Sequence, residues 1–438
     1  MRLLLYTCII LLPTGLLRAQ FVDPGFEQSG SSPWLRSHPE WMGETPSDAP
    51  YGGSLCMAVR ATSQNFATYP YFYQALPAAQ PGDVIRLRYT CRPGVDPGAP
   101  PAVANSIVNY VVINGSGVPS FTSEYQLSQP AEWTMQDLTF TVPSFPAGST
   151  FGIGFGGYSG FEDFYLLFDN VHVTISGTGA RLSAKAWLDG AYVPAQGLMR
   201  DDLRAAGLVP TTEMNTSILY TWPQMPVGET TTPAVLAVTG PNAIVDWVRI
   251  ELRSGRPEEH IPITSRNALI QRDGDIVDTD GVSPVTFAVK GGNYYVLILH
   301  RNHLSVLGTD VVTLSSTPVI YDARSPSTTF YTRTGPENGP PRKTVGATRT
   351  LWPGNTLDSG YFLRNIRYTG ADNDRDPLLY AVGGNTPTNT LSGQYRKEDV
   401  NMDGVVKYTG ENNDRDIILQ TIGGSLPTAV RYEQVPGP

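Results

Sequence analysis

Three oxygen-bearing side chains alternate near the C-terminus, where the chain reads DVNMDG. Asp399, Asn401 and Asp403 stand two residues apart, and Gly404 follows where the backbone has to turn sharply. A Ca²⁺ ion takes about six to eight oxygen ligands, and Asp and Asn alternating before a Gly let one loop supply several of them. We therefore predict that this loop binds calcium, with the backbone carbonyl of Val405 as a further ligand.

A short apolar run after the loop predicts a helix. Residues 417 to 422 are mostly Ile and Leu, and Gly423-Gly424 suits the C-terminal cap of a helix. The alternative is a solvated turn, because Asp, Asn and Gly are also the commonest turn residues. The adjoining helix favours the calcium interpretation, since the two together form a loop-and-helix unit.

The region from 352 to 438 holds an internal repeat of this unit. IRYTGADNDRDPLLYAVGG, from residue 366, matches VKYTGENNDRDIILQTIGG, from residue 406, at an offset of 40 residues. Two copies suit a small paired domain in which neither half buries its apolar face alone. The arrangement resembles dockerin modules, which carry two calcium-loop-plus-helix repeats.

The chain departs from the dockerin pattern at the residue that closes the loop. The resemblance implies a closing carboxylate at position twelve of the loop, and here that position, with Asp399 counted as position one, is Gly410. An insertion of four residues would move the closing ligand to Asp414 or Asp416, and both stay open. The first repeat has GNTLDSGYFLRN upstream and lacks the alternating triad. We therefore predict one calcium site in the second repeat and a weak or absent site in the first.

Residues 20 to 176 are predicted to form a jelly-roll β-sandwich. Runs such as DVIRLRYTC and SIVNYVVING recur between Gly and Pro turns without a helical period. The two ends, FVDPGFEQSGSSPW and LLFDNVHVTIS, resemble the first and last strands of jelly-roll carbohydrate-binding modules. That resemblance implies that Glu27 and Asp169 share a structural calcium ion, which Asp23 could join. The alternative is that Glu27 and Asp169 are exposed turn acids.

Aromatic residues are dense in the same region. Sugar recognition uses flat aromatic faces against the C–H surfaces of the sugar ring, with polar side chains at the rim. Alternation along YPYFYQ sends some of its rings away from the core. We take Trp34, Trp41, Tyr71 and Tyr73 as candidate ligand-binding residues, with core packing as the alternative for each.

Other reactive side chains are assigned to structure. Cys56 and Cys91 each lie in a predicted strand, and either a disulfide or two buried thiols fits the sequence. The acid-dense segment 271–281, QRDGDIVDTDG, predicts a hairpin rather than a second metal loop. His300 and His303 are expected on opposite faces of a strand, without a third ligand at a recognised spacing, and hence in a structural role.

The middle of the chain, residues 181 to 316, is predicted to form a second β-sandwich with a short helix in GLMRDDLRAAGLVP. SGTGA, at 176–180, reads as a linker before it, and the Thr/Ser/Pro-rich stretch 317–351 as an extended connector or an irregular edge segment. KAWLDGAY, VDWVRIELR and YYVLILHRNHL resemble a module of large secreted surface proteins of Bacteroidetes-type bacteria, often labelled haemagglutinin-like. No catalytic activity follows from that resemblance.

Export is predicted from residues 1 to 19. Arg2 precedes an apolar run that is too short to span a bilayer, and no later segment approaches the required length. The formal charge of −9 becomes −11 once Arg2 and Arg18 leave with the signal. Because acidic proteins repel nucleic acid and anionic membranes, we expect a secreted protein with no nucleic-acid partner and no transmembrane segment.

Motifs of common catalytic classes are missing from the sequence: there is no G-x-S-x-G, P-loop or H-E-x-x-H. We therefore predict a mainly β, secreted, non-catalytic binding or adhesion protein. Its expected ligand is carbohydrate or another surface polymer, its cofactor is calcium, and its C-terminal module has a protein partner. The rival predictions are a structural subunit of an extracellular assembly and, third, a polysaccharide-active enzyme with carboxylates that the sequence does not single out.

Overall fold

The structure is a computed structural model that describes residues 25–26, 33–37, 39, 42–47, 49, 54–61, 70–94, 104–129, 132–159, 164–214, 228–254, 261–357 and 365–436. The chain is mainly β with a few short helices, as predicted. None of the helices within these ranges is long and apolar enough to cross a bilayer.

The first part of the chain forms a two-sheet sandwich. Its strands are β1 (Leu35–Arg36), β2 (Met42–Pro46), β3 (Leu55–Ala61), β4 (Tyr71–Ala75), β5 (Val84–Pro93), β6 (Ala104–Ile113), β7 (Pro119–Gln129), β8 (Thr134–Thr141), β9 (Thr150–Ser159) and β10 (Phe164–Lys185). One sheet has the order β1-β4-β9-β6-β7, and β2, β3, β10, β5 and β8 form the other. Side chains alternate along each strand, so Phe72, Phe155 and Phe168 meet between the sheets in one aromatic core.

The middle of the chain forms a second sandwich. Its strands are β11 (Tyr192–Val193), β12 (Leu198–Met199), β13 (Ile244–Ser254), β14 (Ile261–Gln271), β15 (Asp275–Val277), β16 (Val285–Val289), β17 (Gly292–Leu299), β18 (Val306–Leu307), β19 (Val312–Leu314) and β20 (Val319–Asp322). Helices α1 (Asp202–Ala205) and α2 (Pro233–Leu236) are single turns. A large apolar cluster around Trp247, Leu269 and Phe287 fills this second core.

The predicted linker SGTGA is wrong, because it lies inside β10. This strand pairs with β5 up to Ile175 and with β16 from Ser176 onward, so it crosses from one sandwich into the other without a break. The register shifts between Ser176 and Ala180. A Cβ on Gly177 would stand 2.9 Å from the Lys290 side chain. A glycine is therefore needed here because two segments of the backbone approach closely, and not because the segment is a flexible linker.

Of the two interpretations of 317–351, the edge segment holds. Strand β20 pairs in parallel with β10, and a hairpin of β21 (Lys343–Val345) and β22 (Thr348–Thr350) follows a 3₁₀ turn at Gly335–Glu337. Phe330 belongs to the second apolar core, and the N–H of Ala323 donates to the Lys185 carbonyl of β10, so this irregular stretch is fastened to the second sandwich.

The C-terminal repeats exchange strands. The first copy contains β23 (Asn365–Arg367), α3 (Arg375–Ala381) and β24 (Thr390–Ser392), and the second contains β25 (Val405–Lys407), α4 (Asp414–Thr421) and β26 (Val430–Tyr432). Strand β23 pairs with β26, and β24 pairs with β25. The hydroxyl of Thr369 donates to the carbonyl of Pro427, and that of Thr409 to Pro387. Each copy is therefore completed by the other, in a pseudo-two-fold arrangement.

Candidate functional site

The oxygens of the predicted calcium loop converge in the structure. The backbone N–H of Asp403 donates to Asp399 Oδ1 at 3.1 Å and to Asn401 Oδ1 at 2.9 Å. Asp399 Oδ2 accepts from the N–H of Gly404 at 2.9 Å, and Asp403 Oδ1 accepts from the N–H of Val405. Met402 adopts a positive φ of 60°, which turns the backbone tightly enough for these contacts. The loop is thus folded around three side-chain oxygen donors that the sequence predicted together.

The two candidates for the closing carboxylate occupy different positions. Asp414 is fully buried and accepts three backbone hydrogen bonds, from the N–H groups of Val400, Asn401 and Lys407. Asp416 instead pairs with the Asn413 amide and the Arg415 guanidinium at the start of α4. Asp414 therefore fixes the backbone of the loop, whereas Asp416, at the start of α4, also lines the surface cleft that contains Asn401 and Asp403.

Burial raises the pKa values of two carboxyl groups in the loop. Burial raises the pKa of Asp399 to about 6, although Arg301 nearby lowers it, and burial raises the pKa of Asp414 to about 8, with Asp399 adding to the effect. Two neighbouring buried carboxylates are costly to ionise together, and a bound cation would remove that cost.

The side chains of the loop offer the type of ligand atom that a hard cation prefers. Asp399, Asn401 and Asp403 offer oxygens and no sulfur or nitrogen ligand, which is the preference of Ca²⁺. In the described residues no three His, Cys, Asp or Glu side chains gather as a metal cluster, so the loop depends on an amide oxygen and on carbonyls such as that of Val405.

The first repeat has the same backbone arrangement around a buried aspartate as the second, but different side chains at the positions of the predicted calcium ligands. Asp374 accepts hydrogen bonds from the N–H groups of Thr356, Leu357 and Arg367, as Asp414 does from its own loop. This correspondence places Asn355 where the second repeat has Asp399. An amide therefore stands in place of the first carboxylate.

Asp169 occupies a bulge of β10 inside the first sandwich. It is fully buried, its Oδ2 accepts from the Ser47 hydroxyl at 2.6 Å, and its Oδ1 accepts from the N–H of Asn170. Asn170 has a positive φ of 51°, and the register of β10 shifts just beyond it. The exposed-turn alternative for Asp169 is therefore wrong. Glu27 and Asp23, the other predicted ligands, lie outside the described residues.

The four candidate aromatic residues separate into different environments. Trp34 is 3% exposed and packs edge-on against Phe72 in the sandwich core, so the core alternative holds for it. Trp41 lies outside the described residues. Tyr71 and Tyr73 flank Phe72 along β4 and lie on the opposite, outer face of the five-stranded sheet. They are 6% and 8% exposed, and the Phe121 ring packs against both.

A row of glycines in β9 makes room for this outer aromatic layer. A Cβ on Gly156 would stand 2.6 Å from the ring of Tyr71, and a Cβ on Gly154 would stand 3.5 Å from the ring of Phe121. The Phe121 ring stacks on Tyr71 at a centroid distance of 5.0 Å and meets Tyr73 edge-on at 5.2 Å. We call Tyr71, Tyr73 and Phe121 the outer aromatic layer. Sequence reasoning missed Phe121, although the alternating glycines of TFGIGFGGY signal a face without side chains.

The two cysteines are buried thiols that do not form a disulfide with each other. Cys56 in β3 and Cys91 in β5 are both fully buried. Burial raises the pKa of Cys91 well above its ordinary value, and Cys56 nearby adds to the rise. The two-thiol alternative therefore holds in this structure, and both side chains act as small apolar groups of the core.

The expected placement of His300 and His303 on opposite faces is wrong. Strand β17 ends at Leu299, and beyond it the chain bends so that the two rings meet at a centroid distance of 4.8 Å. His300 Nε2 lies 3.2 Å from Asp246 Oδ2, and Arg301 donates to the same oxygen. Burial alone would raise the pKa of Asp246, but Arg301 and His300 hold it below its usual value. His300, Arg301 and Asp246 therefore form a buried network of hydrogen bonds and ion pairs.

The acid-dense segment 271–281 forms the predicted hairpin. Strands β14 and β15 pair across it. Asp280 Oδ1 accepts from the N–H groups of Val282 and Ser283, and Asp278 pairs with Arg266. These carboxylates are occupied by turn and ion-pair contacts.

Comparison with known proteins gives fold likenesses without a family. No family model matches the chain, and no curated protein matches its sequence. The chain is similar to the CBM22-1 xylan-binding domain from Paenibacillus barcinonensis Xyn10C, with 12% identity, 37% of this chain and 94% of that one covered, and a TM-score of 0.27. It is also similar to the C-terminal family 22 carbohydrate binding module of Clostridium thermocellum Xyn10B, with 16% identity, 35% and 90% covered, and a TM-score of 0.26. A third likeness is a Family 16 Carbohydrate Binding Module-2, with 17% identity, 36% and 99% covered, and a TM-score of 0.24.

Proposed function

We propose that this chain is a secreted, non-catalytic binding protein. Its first sandwich takes carbohydrate or another surface polymer on the outer face of the five-stranded sheet, and its C-terminal repeats are stabilised by calcium. The observation that carries the proposal is the outer aromatic layer, where Tyr71, Tyr73 and Phe121 gather away from the sandwich core over a strand of alternating glycines.

The chemistry of this face suits a sugar polymer. Aromatic rings offer flat apolar surface to pyranose C–H groups, and hydroxyl and amide groups at the rim take up hydrogen bonds. Tyr71 and Tyr73 are almost fully buried and Asn109, across from Gly154 on β6, is fully buried, so a ligand would reach this face through the partly exposed Phe121 ring.

The calcium part of the proposal rests on the loop of the second repeat. Asp399, Asn401 and Asp403 would hold the ion through side-chain oxygens and Val405 through its carbonyl, with Asp414 behind the loop. A bound divalent ion supplies positive charge that stabilises the ionised carboxylates. The residues of the chain supply the turn, the burial and the backbone hydrogen bonds that keep these oxygens together.

The ligand proposal is tested with a glycan array and affinity electrophoresis on the folded, calcium-loaded protein. Tyr73→Ala and Phe121→Ala should each weaken retention by any polysaccharide that binds. The matched control is Tyr165→Ala, since Tyr165 is an exposed tyrosine on β10 in the other sheet. Blank arrays, or equal retention of all three variants, would count against the outer aromatic layer as the binding face.

A structural subunit of an extracellular assembly is the second candidate. It is favoured by β10, which runs unbroken through both sandwiches, and by the Lys290–Asp83 ion pair between them. A stiff, multi-module body is suited to bear load between surfaces. Polymer formation on adding calcium, followed by light scattering, would favour this candidate over the ligand-binding one.

A further inference from the structure

We infer that the calcium loop of the second repeat is positioned by the middle sandwich, so that the metal site is a shared product of two modules. Gly190 of the middle sandwich and Met402 of the loop are the positioning residues, and neither has a side chain among the proposed ligands. This inference rests on the proposed function, since it concerns how the calcium site is held.

The first step is the space at Gly190. A Cβ on this residue would stand 2.2 Å from the carbonyl oxygen of Val400 and 3.5 Å from the Cα of Asn401. No side chain fits there unless the loop moves, because the loop backbone passes directly against the middle sandwich. Gly190 therefore sets how closely the two modules approach at the metal loop.

The second step is the anchor at Met402. This residue lies between the ligands Asn401 and Asp403, yet its side chain is 1% exposed and belongs to the core of the middle sandwich. Its positive φ is the backbone conformation that sends the side chain away from the oxygen donors. A Cβ on Gly404, at the end of the same turn, would stand 3.2 Å from the side chain of Leu208. The side chain of Met402, at the centre of the loop, therefore anchors the loop in the core of the middle sandwich.

The third step is a set of hydrogen bonds from the middle sandwich to the loop backbone. The Arg200 guanidinium donates to the Asn401 carbonyl at 2.6 Å and to the Gly190 carbonyl at 2.9 Å. The Asn302 amide donates to the Asp399 carbonyl at 2.7 Å. The backbone carbonyls of two proposed ligand residues are therefore held by side chains of another module.

These contacts tie the loop geometry to the docking of the modules. If the loop is displaced from the middle sandwich, the carbonyl groups of Asp399 and Asn401 lose their hydrogen bonds to Asn302 and Arg200. The side-chain oxygens of the loop would then no longer be held around one point. Residues that orient ligands without binding the metal commonly change affinity by about 10- to 100-fold. The same contacts cover one side of the loop, so a protein partner of the C-terminal repeats has to bind elsewhere.

Calcium titration of the full chain tests the inference. Isothermal titration with CaCl₂ should give an affinity about 10- to 100-fold weaker for Gly190→Ala and for Met402→Ala than for the wild type. Both changes leave the net charge and every proposed ligand unaltered. Gly43→Ala, at a glycine with open space around it, and Val285→Ala, a truncation in the same middle core, should bind calcium as the wild type does.

The outcomes separate the inference from the proposed function. Near-ultraviolet circular dichroism establishes which variants are folded, and Met402→Ala gives the answer if Gly190→Ala fails to fold. Wild-type affinity in the two folded positioning variants would overturn the inference and leave calcium binding in place. A wild-type chain that gives no heat with calcium would overturn both. The inference would also be overturned if the two positioning variants melted at a lower temperature than the wild type in chelator but bound calcium with the wild-type affinity. That result would show that Gly190 and Met402 stabilise the fold without positioning the metal site.

Discussion

The two C-terminal repeats share a pattern of backbone hydrogen bonds and differ in the side chains of the loop. Both use a buried aspartate to collect three backbone N–H groups, Asp374 in the first and Asp414 in the second. Both cap their helix with an asparagine that accepts from a backbone N–H three residues on. Only the second places alternating carboxylates in the loop above that aspartate. The comparison indicates that the buried aspartate is needed for folding, whereas the alternating triad is an addition to the second repeat alone, for which we propose a role in binding a cation.

The largest expected effect is the loss of either buried aspartate. Asp374→Ala and Asp414→Ala each leave three buried N–H groups without their acceptor, so each should cost about 3 kcal/mol or more of unfolding free energy. Urea unfolding in chelator measures this and should give similar losses for the two. In calcium, Asp414→Ala should lose more than Asp374→Ala. Equal losses in both conditions would contradict the proposed difference between the repeats.

Calcium itself should have the next effect. At a concentration about 100 times the Kd, calcium should stabilise the wild type by about 3 kcal/mol, because it binds the folded state alone. Asp403→Ala should abolish the difference in melting temperature between calcium and chelator. The matched control is Ser359→Ala, at the position that corresponds to Asp403 when counted from Asn355 in the first repeat. A melting temperature of the wild type that does not depend on calcium would refute the prediction.

The pH dependence should reverse with calcium. The pKa values of Asp399 and Asp414 are raised by burial to about 6 and about 8, against about 3.9 in an unfolded chain. The folded state then binds more protons between pH 4 and 8, so in chelator the stability from these groups is present at low pH and is lost as pH rises through those values. Calcium needs the ionised forms, so its stabilising effect should grow from pH 5 to 8. Thermal melts across this range check the sign, and a calcium effect that shrinks with rising pH would contradict it.

The helix caps should give the smallest effect, and the same one in both repeats. Asn373 accepts from the N–H of Asp376, and Asn413 accepts from that of Asp416. Replacing either asparagine by Ala should cost about 1 kcal/mol, the usual value of an N-cap side chain. Urea unfolding of the two variants measures it. A cap that mattered in one repeat alone would show that the frame is less symmetric than the hydrogen bonds indicate.

Local patterns predicted local structure well. Strand alternation and Gly/Pro turns predicted the two sandwiches, and the triad of Asp399, Asn401 and Asp403 predicted a loop whose oxygens converge. The repeat offset of 40 residues predicted the two equivalent loop-and-helix units. These features depend on neighbours within a few residues, which is why a single sequence contains them.

Contacts between distant segments were not predictable in the same way. Gly177 lies in a strand where Lys290 passes close by. The sequence does not show that contact, so SGTGA was predicted to be a linker. His300 and His303 meet because β17 ends one residue before the first of them. Met402 has the sequence context of an ordinary loop residue, yet its side chain lies in the core of the middle sandwich. Each depends on a partner whose position the fold alone determines.

Anomalous diffraction from crystals grown in calcium tests the central claim most directly. The account predicts one calcium peak within the second repeat, bounded by the side-chain oxygens of Asp399, Asn401 and Asp403 and by the carbonyl of Val405, and a weak peak or none in the first repeat. An ordered loop in calcium without a peak between these oxygens would contradict the claim.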